Sequence, residues 1–132
     1  MRYVYDCPLR WSDLDVFGHV NNARMLTLFE EARVALMFVG AREAGLTTFE
    51  EGIVIYRHEV DYLRPLDYGP NVRIEMWVSQ MRPSRFTMSY ELFAADKLTS
   101  RAASVCVPFD LATQRPRRLS DAERAFLTPW AE

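Results

Sequence analysis

The stretch NARMLTLFEEARVALMFVG, residues 22–40, decides how this chain folds. Met25, Leu28, Phe29, Ala32, Leu36 and Val39 recur at the 3.6-residue spacing of one helix face. Val34 and Phe38 fall on the other side, so the helix is apolar over more than one stripe and needs cover from several directions. Asn21 and Asn22 are candidate N-caps, and Gly40 is a candidate C-terminal stop. The spacing predicts one long helix from about Asn22 to Val39.

The flanking segments supply that cover. On the N-terminal side, Tyr3, Tyr5, Cys7, Leu9 and Trp11 alternate with other residues, which predicts a strand over residues 3–11. Ser12 to Asn22 is polar, contains Gly18 and reads as a loop. Downstream, a short helical or loop piece over Arg42–Gly52 leads into period-two patterning. Val54, Tyr56, His58, Val60 and Tyr62 form one alternating set, and Val72, Ile74, Met76 and Val78 the next. Phe86, Met88, Tyr90 and Leu92 follow, then Arg101, Ala103, Val105, Val107 and Phe109, with Pro108 tolerated only at a strand edge or end. Residues 64–70 (RPLDYGP), 82–84 (RPS) and 96–97 (DK) are the breaks. Four strands joined by short turns predict an antiparallel meander. The fold class is therefore α+β, one central helix wrapped by an antiparallel sheet of about five strands. The outer face and open edges of such a sheet need covering, which predicts a homodimer or homotetramer.

The 132 residues make one domain, 1–132, with 49% hydrophobic and 26% charged residues. A net charge of -2 speaks against nucleic acid or an anionic membrane as partner. No run approaches the roughly 20 apolar residues of a membrane span. Residues 1–10 contain Asp6 and Pro8 and no apolar core of a secretory leader, so a cytoplasmic location is expected. Cys7 and Cys106 form no CxxC pair and are expected to be reduced thiols. Too few ligands cluster for zinc, so no metal and no cofactor is expected. The basic run at 115–118 reads as a solvated loop.

Chemistry concentrates in residues 10–24, RWSDLDVFGHVNNAR. Two carboxylates, a histidine and two asparagines precede the start of a buried helix. First-turn N–H groups lack intrahelical partners and attract negative charge. Such donors can hold a carbonyl oxygen as it becomes an oxyanion, and a carboxylate a few residues upstream can reach the same carbonyl or a water beside it. The residues thus point to acyl transfer.

The pattern Asp13-x-Asp15-x-x-Gly18-His19-Val20-Asn21-Asn22 resembles the signature of the 4-hydroxybenzoyl-CoA thioesterase family of hotdog proteins, and is similar to that of the acyl-ACP thioesterases. Glu30, Ala32 and Arg33, and Val60-Asp61-Tyr62 before Pro65, extend the resemblance over residues 3 to about 110. It implies a hotdog fold and hydrolysis of an acyl-CoA substrate. It also implies Asp15 as nucleophile or general base, and a backbone N–H near Asn22 as the group polarising the carbonyl. Asp13 reads as a turn or surface carboxylate that shapes the loop. His19 either orients the water or carboxylate, or packs within the loop to hold the helix start. Phe17 stands where the acyl-ACP branch has an asparagine, which weakens that reading.

Glu30 is spaced to pair with Arg33 at i,i+3, and His58 reads as a core or interface histidine. Arg82, Ser84 and Arg85, in a turn between strands, are candidate CoA ligands, with Arg64 a weaker one. Phe29 and Leu26 are candidates for the acyl pocket, with core packing as their other role. A hotdog enoyl-thioester hydratase and a non-catalytic acyl-thioester-binding hotdog protein are the competing readings.

Overall fold

Pro8 ends the first strand early. The computed structural model describes residues 1–132, and in it β1 spans only Tyr3–Asp6. Proline lacks the N–H that would continue the ladder. The chain then leaves the sheet through a single 3₁₀ turn, Trp11–Asp13, where Trp11 is 79% exposed rather than facing inward. The strand expected to reach residue 11 is thus less than half that length.

The long helix exists but has a different end and a different face. It begins as α1 (Asn22–Val34), continues without a break through a π-helical segment, Ala35–Gly40, and closes with α2 (Ala41–Glu43). Gly40 is helical, at φ -63 and ψ -41, and stops nothing. The stop is Gly45 at φ +83, where the Leu46 N–H reaches the Ala41 carbonyl (2.8 Å) and the Gly45 N–H that of Arg42 (2.9 Å). This is the glycine-ended pattern that satisfies the last carbonyls of a helix. The π segment advances the inward face, as its longer hydrogen-bond step requires. Leu36, Met37 and Ala41 are buried, and Val39, expected on the core stripe, is 54% exposed.

Five strands wrap this helix, joined by the two-residue β6 (Arg115–Pro116). β2 is Ile53–Tyr62, β3 Val72–Arg82, β4 Arg85–Ala94 and β5 Lys97–Asp110. The order is β1-β3-β4-β5-β2, every pairing antiparallel, with β6 on the end of β5. β3, β4 and β5 form the expected meander. β2 does not join it beside β3: it lies at the far edge against β5. The connection from β2 to β3 passes the start of α1, where the Leu66 carbonyl accepts the Val20 N–H (2.8 Å) and Leu66 itself is buried. β2 also breaks its own alternation. A bulge between Ile55 and Arg57 turns Ile55, His58, Val60 and Tyr62 to the face of their partners Cys106, Ser104, Ala102 and Ser100, and leaves Tyr56 exposed outside.

The core lies between the helix and the concave face. Met25, Leu28, Phe29, Ala32 and Leu36 pack on Ile74, Met76, Val78, Phe86, Met88, Tyr90 and Leu92. On β5 the buried inward residues include Ser100, Ser104 and Cys106, so the apolar alternation of Ala103, Val105 and Val107 marks the outer face instead.

The C-terminal segment is ordered. α3 (Asp121–Leu127) starts on a reciprocal Ser120–Glu123 capping box. The basic run before it is solvated at Arg115 and Arg118, as expected, but not at Arg117, whose guanidinium pairs with the fully buried Glu123. No helix is long and apolar enough to cross a membrane.

Candidate functional site

The loop before α1 is built on Asp13. Its buried carboxylate accepts the Arg10 N–H (2.8 Å) and lies near the guanidinium of Arg10 (3.4 Å) and Nε of Arg24 (3.8 Å). Its carbonyl accepts the Asn21 N–H (2.8 Å). Asp13 therefore shapes the loop, as expected, but from inside the protein rather than from its surface.

From there the chain folds back on itself. Leu14 bridges Val20, the Asp15 N–H donates to the His19 carbonyl (2.8 Å), and the Gly18 N–H to that of Asp15 (3.1 Å). Gly18 sits at φ +78, a left-handed conformation that a side chain would strain. The Asp15 carboxylate is half-buried, and its Oδ1 accepts the N–H groups of Phe17 (2.9 Å) and His19 (3.4 Å). Oδ2 has no protein partner.

Of the two asparagines at the helix start, Asn21 is the cap, its Oδ1 accepting the Ala23 N–H (2.8 Å). Asn22 is the first helical residue. With Ala23 capped, the N–H groups of Asn22 and Arg24 remain without an intrahelical partner. The Asn22 carbonyl accepts the Tyr62 hydroxyl (2.8 Å), which ties this turn to the end of β2.

Asp15, His19 and Asn22 meet around one cavity of about 330 Å³. Its remaining wall is Val20, Met25 and the segment Tyr62–Leu66. The His19 ring, however, turns to Asp67, with Nε2 3.6 Å from Oδ1, and makes no hydrogen bond to the Asp15 carboxylate. Phe29 lies in the core against Tyr90, ring centroids 4.9 Å apart, and does not line this cavity; Met25 does. Arg64, the weaker cation candidate, lines it too.

Arg82, Ser84 and Arg85 lie elsewhere. Tyr62 pairs with Ser100, Ser100 with Leu92, and Leu92 with Ile74, so Tyr62 is level with Ile74. Arg82 lies eight residues further along β3, roughly 26 Å at strand rise. One chain places the three exposed turn residues at the opposite end of the sheet from Asp15.

Tyr62, Leu63, Pro65 and Leu66 complete the wall, and sequence reasoning misses them as site residues. Their signal is the Tyr62-to-Pro65 part of the motif, which shows no chemistry until β2 brings it to the helix start. His58 faces inward at the open sheet edge, its Nδ1 2.8 Å from Ser104 Oγ, and desolvation together with the Arg33 charge lowers its pKa. No group of three or more His, Cys, Asp or Glu side chains gathers as a metal site would need.

An antiparallel sheet curled around one long helix, with an acidic loop at the helix start, is the hotdog arrangement. Residues 9–127 match the thioesterase-like superfamily. The chain belongs to that superfamily and is by class a thioester hydrolase. Among its relatives is a 1,4-dihydroxy-2-naphthoyl-CoA hydrolase from Gloeothece citriformis, 28% identical over 103 residues, covering 76% of this chain and 71% of the relative. A predicted thioesterase from Bacillus stearothermophilus superposes with a TM-score of 0.89 at 25% identity, covering 100% of this chain and 98% of that one. A Thermus thermophilus thioesterase complexed with coenzyme A and Zn superposes at 0.80 with 29% identity, covering 96% and 92%.

Proposed function

We propose that this single hotdog domain hydrolyses an acyl-CoA thioester to the free acid and CoA, with Asp15 as nucleophile or general base. One observation carries the reading: Asp15, with one carboxylate oxygen free of protein partners, and Asn22, whose helix-start N–H is unpaired, line one cavity. The Asn22 N–H polarises the thioester carbonyl and takes its developing negative charge. Asp15 attacks that carbon, or removes a proton from the water that does. The C–S bond breaks and CoA leaves as the thiolate, which takes its proton from the Asp15 carboxyl when Asp15 has deprotonated the water, or from solvent when Asp15 is the nucleophile. In the latter case water then hydrolyses the mixed anhydride, freeing the acid and the Asp15 carboxylate. The two Asp15 hydrogen bonds from the loop orient the carboxylate and leave the other oxygen for the reaction. His19 supports the loop through Asp67. Thioester relatives, one of them holding coenzyme A, favour a CoA carrier over acyl-ACP, as does Phe17 in place of an asparagine.

We further propose a cytoplasmic homo-oligomer. The outer edge of β2 is unpaired, and an unpaired edge seeks another strand. Antiparallel pairing of two β2 edges would turn the end of a second copy's sheet that carries Arg82, Ser84 and Arg85 toward the Asp15 cavity. That arrangement reconciles the CoA assignment with the separation of these residues within one chain.

The test is free-thiol release from a panel of acyl-CoAs. Asp15→Asn should lower it by at least roughly a hundredfold, the scale of a lost acid–base group, with an unchanged far-UV spectrum. Unchanged activity in that variant would sink the assignment. Hydration of crotonyl-CoA without thiol release would establish the hydratase instead.

A further inference from the structure

A second polar cluster lies further along the same helix. Asn22, Leu26, Glu30, Arg33 and Met37 recur at three- and four-residue intervals and form one stripe. This stripe faces β2. Asn22 meets Tyr62 at one end, and Glu30, Arg33 and Met37 meet Ile53 and Ile55 at the other, around a cavity of about 350 Å³. Apart from Glu30 and Arg33 the lining of that cavity is hydrophobic.

Arg33 stands out within it. The residue is 8% exposed. Its Nη1 donates to the Tyr90 hydroxyl (2.9 Å) and to Ser104 Oγ (3.3 Å), both neutral groups. Its Nε and Nη2 make no hydrogen bond. The neighbouring carboxylate, Glu30, lies 3.9 Å from Nη2, beyond hydrogen-bond reach, and its own side chain is 62% exposed. A buried guanidinium is costly unless its donors and charge are matched. Here three of its five N–H donors have no acceptor within hydrogen-bond reach, beside a largely apolar cavity and a loosely held carboxylate.

We infer that this cluster reads a hydroxyl group at the far end of the acyl chain, Arg33 donating to its oxygen and Glu30 accepting its proton. The inference rests on the thioesterase reading above and names the class of acyl group. A donor and an acceptor 3.9 Å apart are bridged by a group that is both. A terminal methyl would leave Arg33 unmatched, and a terminal carboxylate would be repelled by Glu30. Glu30 is eight residues past Asn22 and Arg33 eleven, or ~12 and ~16 Å along the helix axis. Helical side chains lean back toward the N-terminus, which sets the hydroxyl roughly 10 Å from the oxyanion donor. That is the reach of a medium-length chain rather than of a single ring.

Uncleavable CoA thioethers test this by calorimetry, independently of catalysis. The wild-type protein should bind S-(8-hydroxyoctyl)-CoA at least about tenfold more tightly than S-octyl-CoA, the scale of a hydrogen bond to a charged partner. Glu30→Leu, at an exposed position that should not disturb folding and with no acceptor left, and Arg33→Met should each bring that ratio to within about threefold of unity, each having lost one of the two bonds. Equal or weaker binding of the hydroxyl analogue, binding of neither, a preserved ratio in Glu30→Leu, or tighter binding of a third thioether, S-(7-carboxyheptyl)-CoA, than of the hydroxyl analogue would overturn the inference. A protein that releases thiol yet shows no such preference defeats this inference alone. A protein that releases no thiol defeats the thioesterase reading.

Discussion

Replacing Glu123 by glutamine should cost this fold about 3 kcal/mol at neutral pH, the lower end of what breaking a buried ion pair costs. The carboxylate is 0% exposed and receives four donors. Arg117 Nη1 and Nη2 reach its two oxygens at 2.8 Å each, the Ser120 N–H at 2.8 Å and the Thr48 hydroxyl at 2.8 Å. It thereby joins three segments distant in sequence: the turn at Thr48–Glu51, the basic run and α3. Burial by itself would push its pKa up. The Arg117 guanidinium, the Ser120 N–H and the Thr48 hydroxyl outweigh that and hold it at about 2, against an ordinary 4.5.

At 1.36 kcal/mol per pH unit the difference corresponds to on the order of 3 kcal/mol, in line with the value for a broken buried pair. Because the folded pKa is the lower one, the unfolded chain binds the proton first as pH falls. The contribution is fully present above about pH 4.5 and is lost toward pH 2. Urea unfolding at one fixed protein concentration reads this directly. The gap between wild type and Glu123→Gln should be widest at pH 7 and should close between pH 4.5 and 2. A gap under about 1 kcal/mol, the size of an ordinary substitution, or one that does not change with pH, would refute the reasoning.

Two further outcomes follow from the geometry. Asn22→Ala should leave thiol release within about threefold of wild type, because the proposed oxyanion donor is its backbone N–H. Asn21→Ala should instead cost about 1 kcal/mol of stability as a lost cap, and a collapse of activity in Asn22→Ala would refute the main-chain assignment. Burial pushes the thiols of Cys7 and Cys106 up to about 12, Cys7 with help from the Asp13 charge. At pH 8 both should react slowly with a disulfide reagent in the native protein and rapidly in denaturant; rapid native titration of either would contradict this.

What the linear chain determines is what neighbours in sequence can settle. Asp15 and Asn22 are seven residues apart, and short-range hydrogen bonds together with Gly18 bring them to one place, so the chemical half of the proposed site is legible in the order of residues alone. The apolar stripe of the helix and the period-two sets of β3 and β4 are legible for the same reason. Other features depend on packing that no local pattern carries. The π segment exposes Val39 and buries Met37 because one extra residue per turn rotates everything after it. The bulge at Tyr56 likewise reverses the faces of β2 in mid-strand. The capping-box pattern Ser120-x-x-Glu123 is present in the chain, but a helix of seven residues is too short to show an apolar face. Tertiary structure alone decides that β2 crosses to the far edge. That crossing puts Tyr62, Arg64 and Leu66 opposite Asp15 and leaves Arg82 and Arg85 at the other end of the sheet. Strand order is set by how long-range apolar surfaces are covered, and a period of two reports only which residues face the same way.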